Sequence, residues 1–350
     1  MGTRAGPDPG EIPATKPGRA GSAAASHGLP GPDGADPGAL EEVVACPVCG
    51  EARWRTEVQV QAQMHPEPEL FTFVRCASCD LIFLNPRVPA EALSRYYTAD
   101  YLPYRGAAAW GVFRPVVGLG LAGTDRRRVR LVQRFGRAEP GSRVLDVGCG
   151  RPTFLERLVR STGATGIGVD FSDAGWRDDP ERWAGLDLRR ETAEGLTLDT
   201  PVDVVTMWHY LEHDYDPRGT LDRVRGAVRE DPESCLLVEV PNHDSWTRRR
   251  HGAWWAGYHA PRHTALYTPE TLGRLLEATG WRVERILSHG TLDPYVLHWM
   301  SRMERRGVDW SRGMAPRFPG FLAGKLATAP WFALARSRSL GVMAAVARPA

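Results

Sequence analysis

The sequence predicts an α/β protein with a doubly wound, mostly parallel sheet of seven strands, preceded by a small four-cysteine module and a disordered tail. Three observations lead there. From Arg143 onward, short apolar runs alternate with helical patterns, as parallel sheets with crossover helices require. The first of those runs ends in a glycine turn. Two CxxC pairs stand ahead of it.

Composition bounds the reading. The 350 residues are 42% hydrophobic and 25% charged, which is ordinary for a globular chain able to bury a core. A net charge of +2 gives no strong overall field for nucleic acid or an acidic membrane. The start, Met1–Pro13, has no apolar core of a secretory signal, and no membrane span is expected. The most apolar late stretch, Phe318–Val346, is broken by Lys325, Pro330, Arg336 and Arg338. A cytoplasmic, reducing location is therefore expected, with the six cysteines as thiols or metal ligands.

Residues 1–42 are rich in Gly, Pro, Ala and Asp and cannot bury enough surface to offset ordering entropy. Short β-rich runs follow at Trp54–Val60, Leu70–Arg75 and Leu81–Leu84, then a helix at Pro89–Tyr97. Residues 98–122 read as a connector or lid, and Asp125–Phe135 as an amphipathic helix. The alternating region then gives strands at Arg143–Val147, Gly166–Asp170, Leu186–Arg190, Val202–Met207, Cys235–Val240 and Trp281–Ser288. Helices are expected at Phe154–Ser161, Pro217–Val228 and Pro269–Thr279, the last capped by Thr268 and ended by Gly280. Val342–Arg348 offers a seventh strand after a helical insertion at about 290–338.

Chemistry concentrates in Val144-Leu-Asp-Val-Gly-Cys-Gly150. Gly148 and Gly150 let the backbone approach a ligand, and the helix start beyond offers unpaired N–H groups that suit a carboxylate. The second strand ends at Asp170, 24 residues after Asp146, about where an acid that holds ribose hydroxyls is expected. A nicotinamide fingerprint would carry a third small residue where Thr153 stands, and would not need Asp146. The acid before the first glycine favours S-adenosylmethionine (SAM).

With these residues the chain resembles the class I SAM-dependent methyltransferase superfamily, over roughly residues 140–290. Matching stretches are Asp146–Gly150, Gly168–Asp170, Asp203–Thr206, Leu211-Glu212-His213 with Asp216-Pro217, Glu239–Asn242, and Pro261–His263 with Tyr267–Leu272. The resemblance implies a Rossmann-like fold, with the Asp146–Gly150 turn on the methionine part of SAM and Asp170 on the ribose. It puts Thr192–Glu194, hence Ala193, near the adenine, and Trp208 by the sulfonium. One departure is Pro152, where this family usually has a third glycine.

Cys46-x-x-Cys49 and Cys76-x-x-Cys79 form two thiolate pairs suited to a closed, structural Zn²⁺ site. The 26 residues between them exceed the usual spacing but can fold as a hairpin. Together with Phe83–Arg87 and Tyr96–Tyr101, they are similar to the zinc-ribbon front end of sugar and natural-product methyltransferases, which implies a small-molecule acceptor. Cys149 and Cys235 read as buried structural thiols.

Methyl transfer needs an aligned nucleophile and often a base. His263, His213 and Glu212 are the favoured candidates, ahead of His259 and His243, because they fall in the family-like motifs. Arg262 is a candidate for a substrate anion or for pairing with Glu212, and Trp246, Trp254, Trp255 and Tyr258 for an acceptor pocket. The alternatives are an RNA or protein methyltransferase that uses the ribbon for recognition, against which the near-neutral charge argues, and a non-catalytic protein that keeps the fold. The chain thus divides into a tail (1–42), a cysteine module (43–88), a helical connector or lid (89–137) and a SAM-binding domain (138–350).

Metal analysis of the purified protein is expected to return about one zinc per chain. A folded, zinc-free chain would contradict the four-thiolate reading.

Overall fold

The structure, a computed structural model, describes residues 39–98, 101–335 and 338–350. Nearly all of the tail expected over 1–42 lies outside the described residues. Glu41 pairs with Arg87 through two backbone hydrogen bonds and a 2.6 Å ion pair.

Among the described residues, eleven strands form two sheets. The first three are β1 (Trp54–Gln61), β2 (Leu70–Cys76) and β3 (Ile82–Leu84). Next come β4 (Arg143–Val147), β5 (Thr165–Asp170), β6 (Asp187–Arg190), β7 (Val204–Trp208) and β8 (Cys235–Pro241). The last are β9 (Ala265–Leu266), β10 (Trp281–Leu287) and β11 (Val342–Pro349). The large sheet runs β10-β11-β8-β7-β4-β5-β6. Its pairings from β8 to β6 are parallel, and β11 runs antiparallel to both its neighbours. This is the Rossmann-like sheet that the sequence predicts. Every expected strand of it is present within a residue or two.

Both faces of this sheet are covered, as parallel strands require. Leu145, Val147, Val205 and Met207 point to one face, where they pack with Leu221, Leu272 and Leu276. Val144 and Val204 point to the other, against Val129, Val132, Leu155 and Leu158. The parallel strands therefore end together on one edge. The turns that leave those ends carry the polar groups.

Three findings differ from the sequence reading. The helix expected from Asp125 begins at Arg114. Its first turns contain Gly118, Gly120 and Gly123, which weaken local propensity, and packing supplies what propensity does not. There Phe113 stacks on Phe318 with ring centres 4.2 Å apart. The second difference is β9, two residues too short to show a period. It pairs with β3 and completes an antiparallel four-stranded sheet, β1-β2-β3-β9, so the cysteine module borrows a strand from the chain beyond β8. The third is the expected Pro89–Tyr97 helix, which is a 3₁₀ helix over Ala90–Tyr96.

The insertion after β10 is helical, over Pro294–Glu304 and Phe318–Leu334. The helix after β9, Pro269–Ala278, opens with the expected Thr268 cap, reinforced by Thr271 in a reciprocal capping box.

Candidate active site

The glycine turn leaves β4 at the edge where the parallel strands end. Gly148 and Gly150 have φ of 72° and 50°, a region that costs other residues strain. The N–H groups of Gly148 and Cys149 donate to Val169 O at 2.8 and 3.1 Å, binding the turn to β5. Asp170, at the end of β5, accepts from Gly150 N–H at 2.9 Å and from Ser172 N–H at 3.0 Å. Asp146 accepts from the Thr206 hydroxyl at 2.6 Å. Burial raises both carboxyls, Asp146 to about 7 despite the Thr206 hydrogen bond, and Asp170 against its two backbone donors. Two carboxyl groups thus flank one glycine turn, as the spacing predicts.

Neighbours press closely on this turn. A Cβ on Gly148 would lie 2.4 Å from the Tyr210 ring, and one on Gly175 would lie 2.3 Å from Gly150 O. Pro152 sits at the N-cap of the Thr153–Thr162 helix with φ −78°, a value proline holds without strain. The turn therefore accommodates the departure from the family pattern. Thr153 donates to Asp125 at 2.8 Å, which ties the new helix to Arg114–Phe135.

Trp208 is buried beside Phe154, with ring centres 5.5 Å apart and Arg128 over its face, and its indole N–H meets no acceptor among the described residues. Ala193 is buried in the core beyond β6.

The expected catalytic residues converge. His213 and His263 have ring centres 4.5 Å apart, and His263 Nε2 lies 3.9 Å from Glu212 Oε1. One nitrogen from each histidine and a Glu212 oxygen lie within 4.8 Å of one another. His263 Nδ1 contacts Gly257 O at 2.9 Å, and His213 Nδ1 contacts Arg262 O at 3.0 Å. A carbonyl only accepts, so both Nδ1 atoms carry the proton and both Nε2 atoms keep a lone pair. Burial lowers both histidines, leaving them neutral at pH 7. Glu212 is fully buried, and its Oε2 meets no donor among the described residues.

His209, not singled out by the sequence reading, braces this cluster. Its Nδ1 lies 3.1 Å from Glu212 and its Nε2 3.0 Å from Glu239, with its backbone in the left-handed region at φ 57°. Burial opposes its charge, but the two carboxylates outweigh burial and raise it to about 9, so it is an imidazolium. Thr291 supports Glu239 with its hydroxyl at 3.0 Å. Only the register of β7 against β8, which pairs Trp208 with Glu239, brings these groups together.

Tyrosines join the two halves. The Tyr97 hydroxyl is 3.2 Å from His213 Nδ1, and its ring is 6.2 Å from Phe171, the residue after Asp170. The Tyr101 hydroxyl meets His259 Nε2 at 2.6 Å. The run Tyr96-Tyr97 and Tyr101 was visible in the sequence, but its role was not.

Other candidates serve the fold. Arg262 is 1% exposed, and its guanidinium donates to the carbonyls of Gln63, Met64 and Tyr96. It clasps the cysteine module's hairpin and holds the loop that carries His263, so it takes neither of its expected roles. The tryptophans and Tyr258 do not form one pocket. Trp255 and Tyr258 are core residues beside His243, whereas Trp246 packs on Trp331 and Phe332. A cavity of about 280 Å³ opens near the far end of the cluster, bordered by Arg127, Gly290, Tyr295, Lys325 and Phe332. A Cβ on its Gly290 would lie 2.4 Å from Glu239 Oε2.

Sheet order and glycine turn together define a Rossmann-like α/β domain. Residues 123–286 match the family described as methyltransferase domain. That match, over a little under half of the chain, supports the class I SAM-dependent methyltransferase reading. Over 150 residues the chain is 27% identical to the ubiquinone biosynthesis O-methyltransferase of Actinobacillus pleuropneumoniae serotype 5b (strain L20), a match over 39% of this chain and 61% of that one. The same-named protein of Dinoroseobacter shibae is 29% identical over 196 residues, 50% of this chain and 77% of that one. Among solved structures, a SAM-dependent methyltransferase from Geobacter sulfurreducens in complex with S-adenosyl-L-homocysteine is similar at 18% identity and a TM-score of 0.39. That likeness covers 65% of this chain and 90% of that one.

Replacing His209 with Leu removes the shared partner of two buried carboxylates and is expected to cost about 3 kcal/mol at pH 6. Because His209 is raised above the unfolded value of about 6.5, its contribution is complete below that pH and fades as pH climbs through about 9. Melting curves of both proteins should therefore converge between pH 6.5 and 9. A gap that does not change with pH would contradict the assignment.

Proposed function

We propose that the chain transfers the methyl group of SAM to an oxygen, nitrogen or carbon of a small molecule, with a sugar or secondary metabolite as the acceptor class. The observation that carries this reading is the turn at Gly148–Gly150 with Asp170 hydrogen-bonded across it, at the edge that also holds the histidine cluster. Asp146, Gly148, Gly150 and Asp170 are the residues that would hold SAM, with Ala193 toward the adenine and Trp208 toward the sulfonium. When bound, SAM supplies an activated methyl on a cationic sulfur.

The chain's own residues supply alignment and proton removal. His263 and His213 each present a neutral Nε2, the form a general base must have. A proton taken up at His263 Nε2 would meet Glu212 Oε1, 3.9 Å away, and that carboxylate stabilises the imidazolium. Tyr97 links the two halves of the site, with its ring near Phe171 and its hydroxyl against His213.

Zinc in the cysteine module fits this picture. The Sγ separations of 3.6 Å (Cys46–Cys79) and 3.5 Å (Cys49–Cys76) are close to the ~3.8 Å edge of a tetrahedral Zn–S₄ site. Its role is structural. The module's β3 holds β9, two residues past His263.

Calorimetric titration with SAM is expected to show binding by the wild type and a loss of at least tenfold in Asp170→Ala. No heat with the wild type at saturating SAM would overturn the reading. With an acceptor in hand, the acid limb of the kcat/KM profile should lie below pH 6.5, because the base is lowered and must be unprotonated. A limb above pH 7 would exclude both histidines.

A further inference from the structure

Fourteen large hydrophobic side chains are exposed among the described residues, and eight of them sit on two packed segments. Val112 lies in the 3₁₀ turn just ahead of the Arg114–Phe135 helix, and Val116, Leu119 and Leu121 lie at the start of that helix. Leu322, Leu326, Trp331 and Leu334 lie on the Phe318–Leu334 helix. Their exposures run from 38% for Trp331 to 86% for Leu334. The Phe113–Phe318 stack joins the two segments, and Trp110 packs on Phe318 and Phe321 beneath. A helix apolar all round normally belongs in a core or a membrane. Here Phe318 and Phe332 are buried, Leu322, Leu326 and Leu334 face solvent, and Trp331 is half-exposed against Trp246. Scattered exposed leucines are ordinary, but a joined group of this size marks a binding surface.

Charge decides what covers it. From Tyr101 to Thr124 the sequence has two basic residues and no Asp or Glu, and from Trp310 to Gly341 it has five basic residues and again no acid, although Arg312 pairs with Asp309 and Lys325 with Asp293, which leaves Arg114 and Arg317 as the exposed cations of the patch. The chain's net charge of +2 averages this imbalance away. Arg114 and Arg317 are exposed beside the apolar positions. A second copy docked through the same face would set cations against cations. An anionic lipid surface offers both hydrocarbon for the leucines and phosphate for the arginines. No helix among the described residues is long and apolar enough to cross a membrane, so contact would be with one leaflet.

We propose that the face formed by Val112–Leu121 and Leu322–Leu334 docks on the surface of an anionic bilayer. The Phe318–Leu334 helix then lies between lipid and the 280 Å³ cavity, which its Lys325, Ala329 and Phe332 border from within.

Co-sedimentation of the full chain with vesicles tests this. The protein should pellet with phosphatidylcholine vesicles containing phosphatidylglycerol, and far less with phosphatidylcholine alone. Partitioning should fall about tenfold or more in Leu119→Glu/Leu326→Glu, whose positions are each 66% exposed and tolerate polar side chains. Arg114→Glu/Arg317→Glu, with an unchanged melting temperature, should lose the preference for anionic lipid and its salt dependence. Wild type left in the supernatant with anionic vesicles would overturn the proposal. So would equal pelleting of wild type and the leucine variant. A dimer in sedimentation velocity that the leucine variant dissolves, without vesicle binding, would assign the face to a second copy and overturn it as well.

Discussion

The candidate site depends on the parallel pairing of β4 with β5, which carries the glycine turn and is closed by a hydrogen bond from the backbone N–H of Gly150 to the carboxylate of Asp170. For that bond to form, β4 and β5 must lie parallel in register, with Asp146 opposite Gly168. The chain must then turn back through two left-handed glycines under the Tyr210 ring. Much else follows from this geometry. The turn launches the Thr153–Thr162 helix, and the strand ends that flank it carry the carboxyl groups, both raised by burial.

A second buried network leans on the first. Glu212, His213 and His263 come from two loops some fifty residues apart, and they meet because β7 delivers one loop and β9 anchors the other. His209 bridges Glu212 to Glu239 on the neighbouring strand and neutralises part of their charge. Arg262 spends its guanidinium on three carbonyls of the module and connector. The cysteine module is thus a brace for the histidine loop as well as a cap on the sheet.

Much of this was legible in the residues. Alternating apolar runs located the strands of the large sheet, and the paired acids with two glycines located the turn, because both depend on local spacing. The CxxC pairs were equally local, and their sulfurs do converge. What the sequence hid was non-local. Nothing near His209 announces that a glutamate thirty residues on will share it. The strand at Ala265–Leu266 is too short to carry a period, and three glycines masked the first half of the Arg114–Phe135 helix. Arg262 looked like a ligand for an anion because its partners are backbone carbonyls, which leave no trace in a sequence.

Hydrogen–deuterium exchange of the full chain, with and without S-adenosylhomocysteine, tests the central claim most directly. Occupation of the turn should slow exchange in the peptides spanning 146–152 and 170–176 while leaving β10 and β11 unchanged. Saturating ligand that protects neither peptide, or protects a different region alone, would contradict the account.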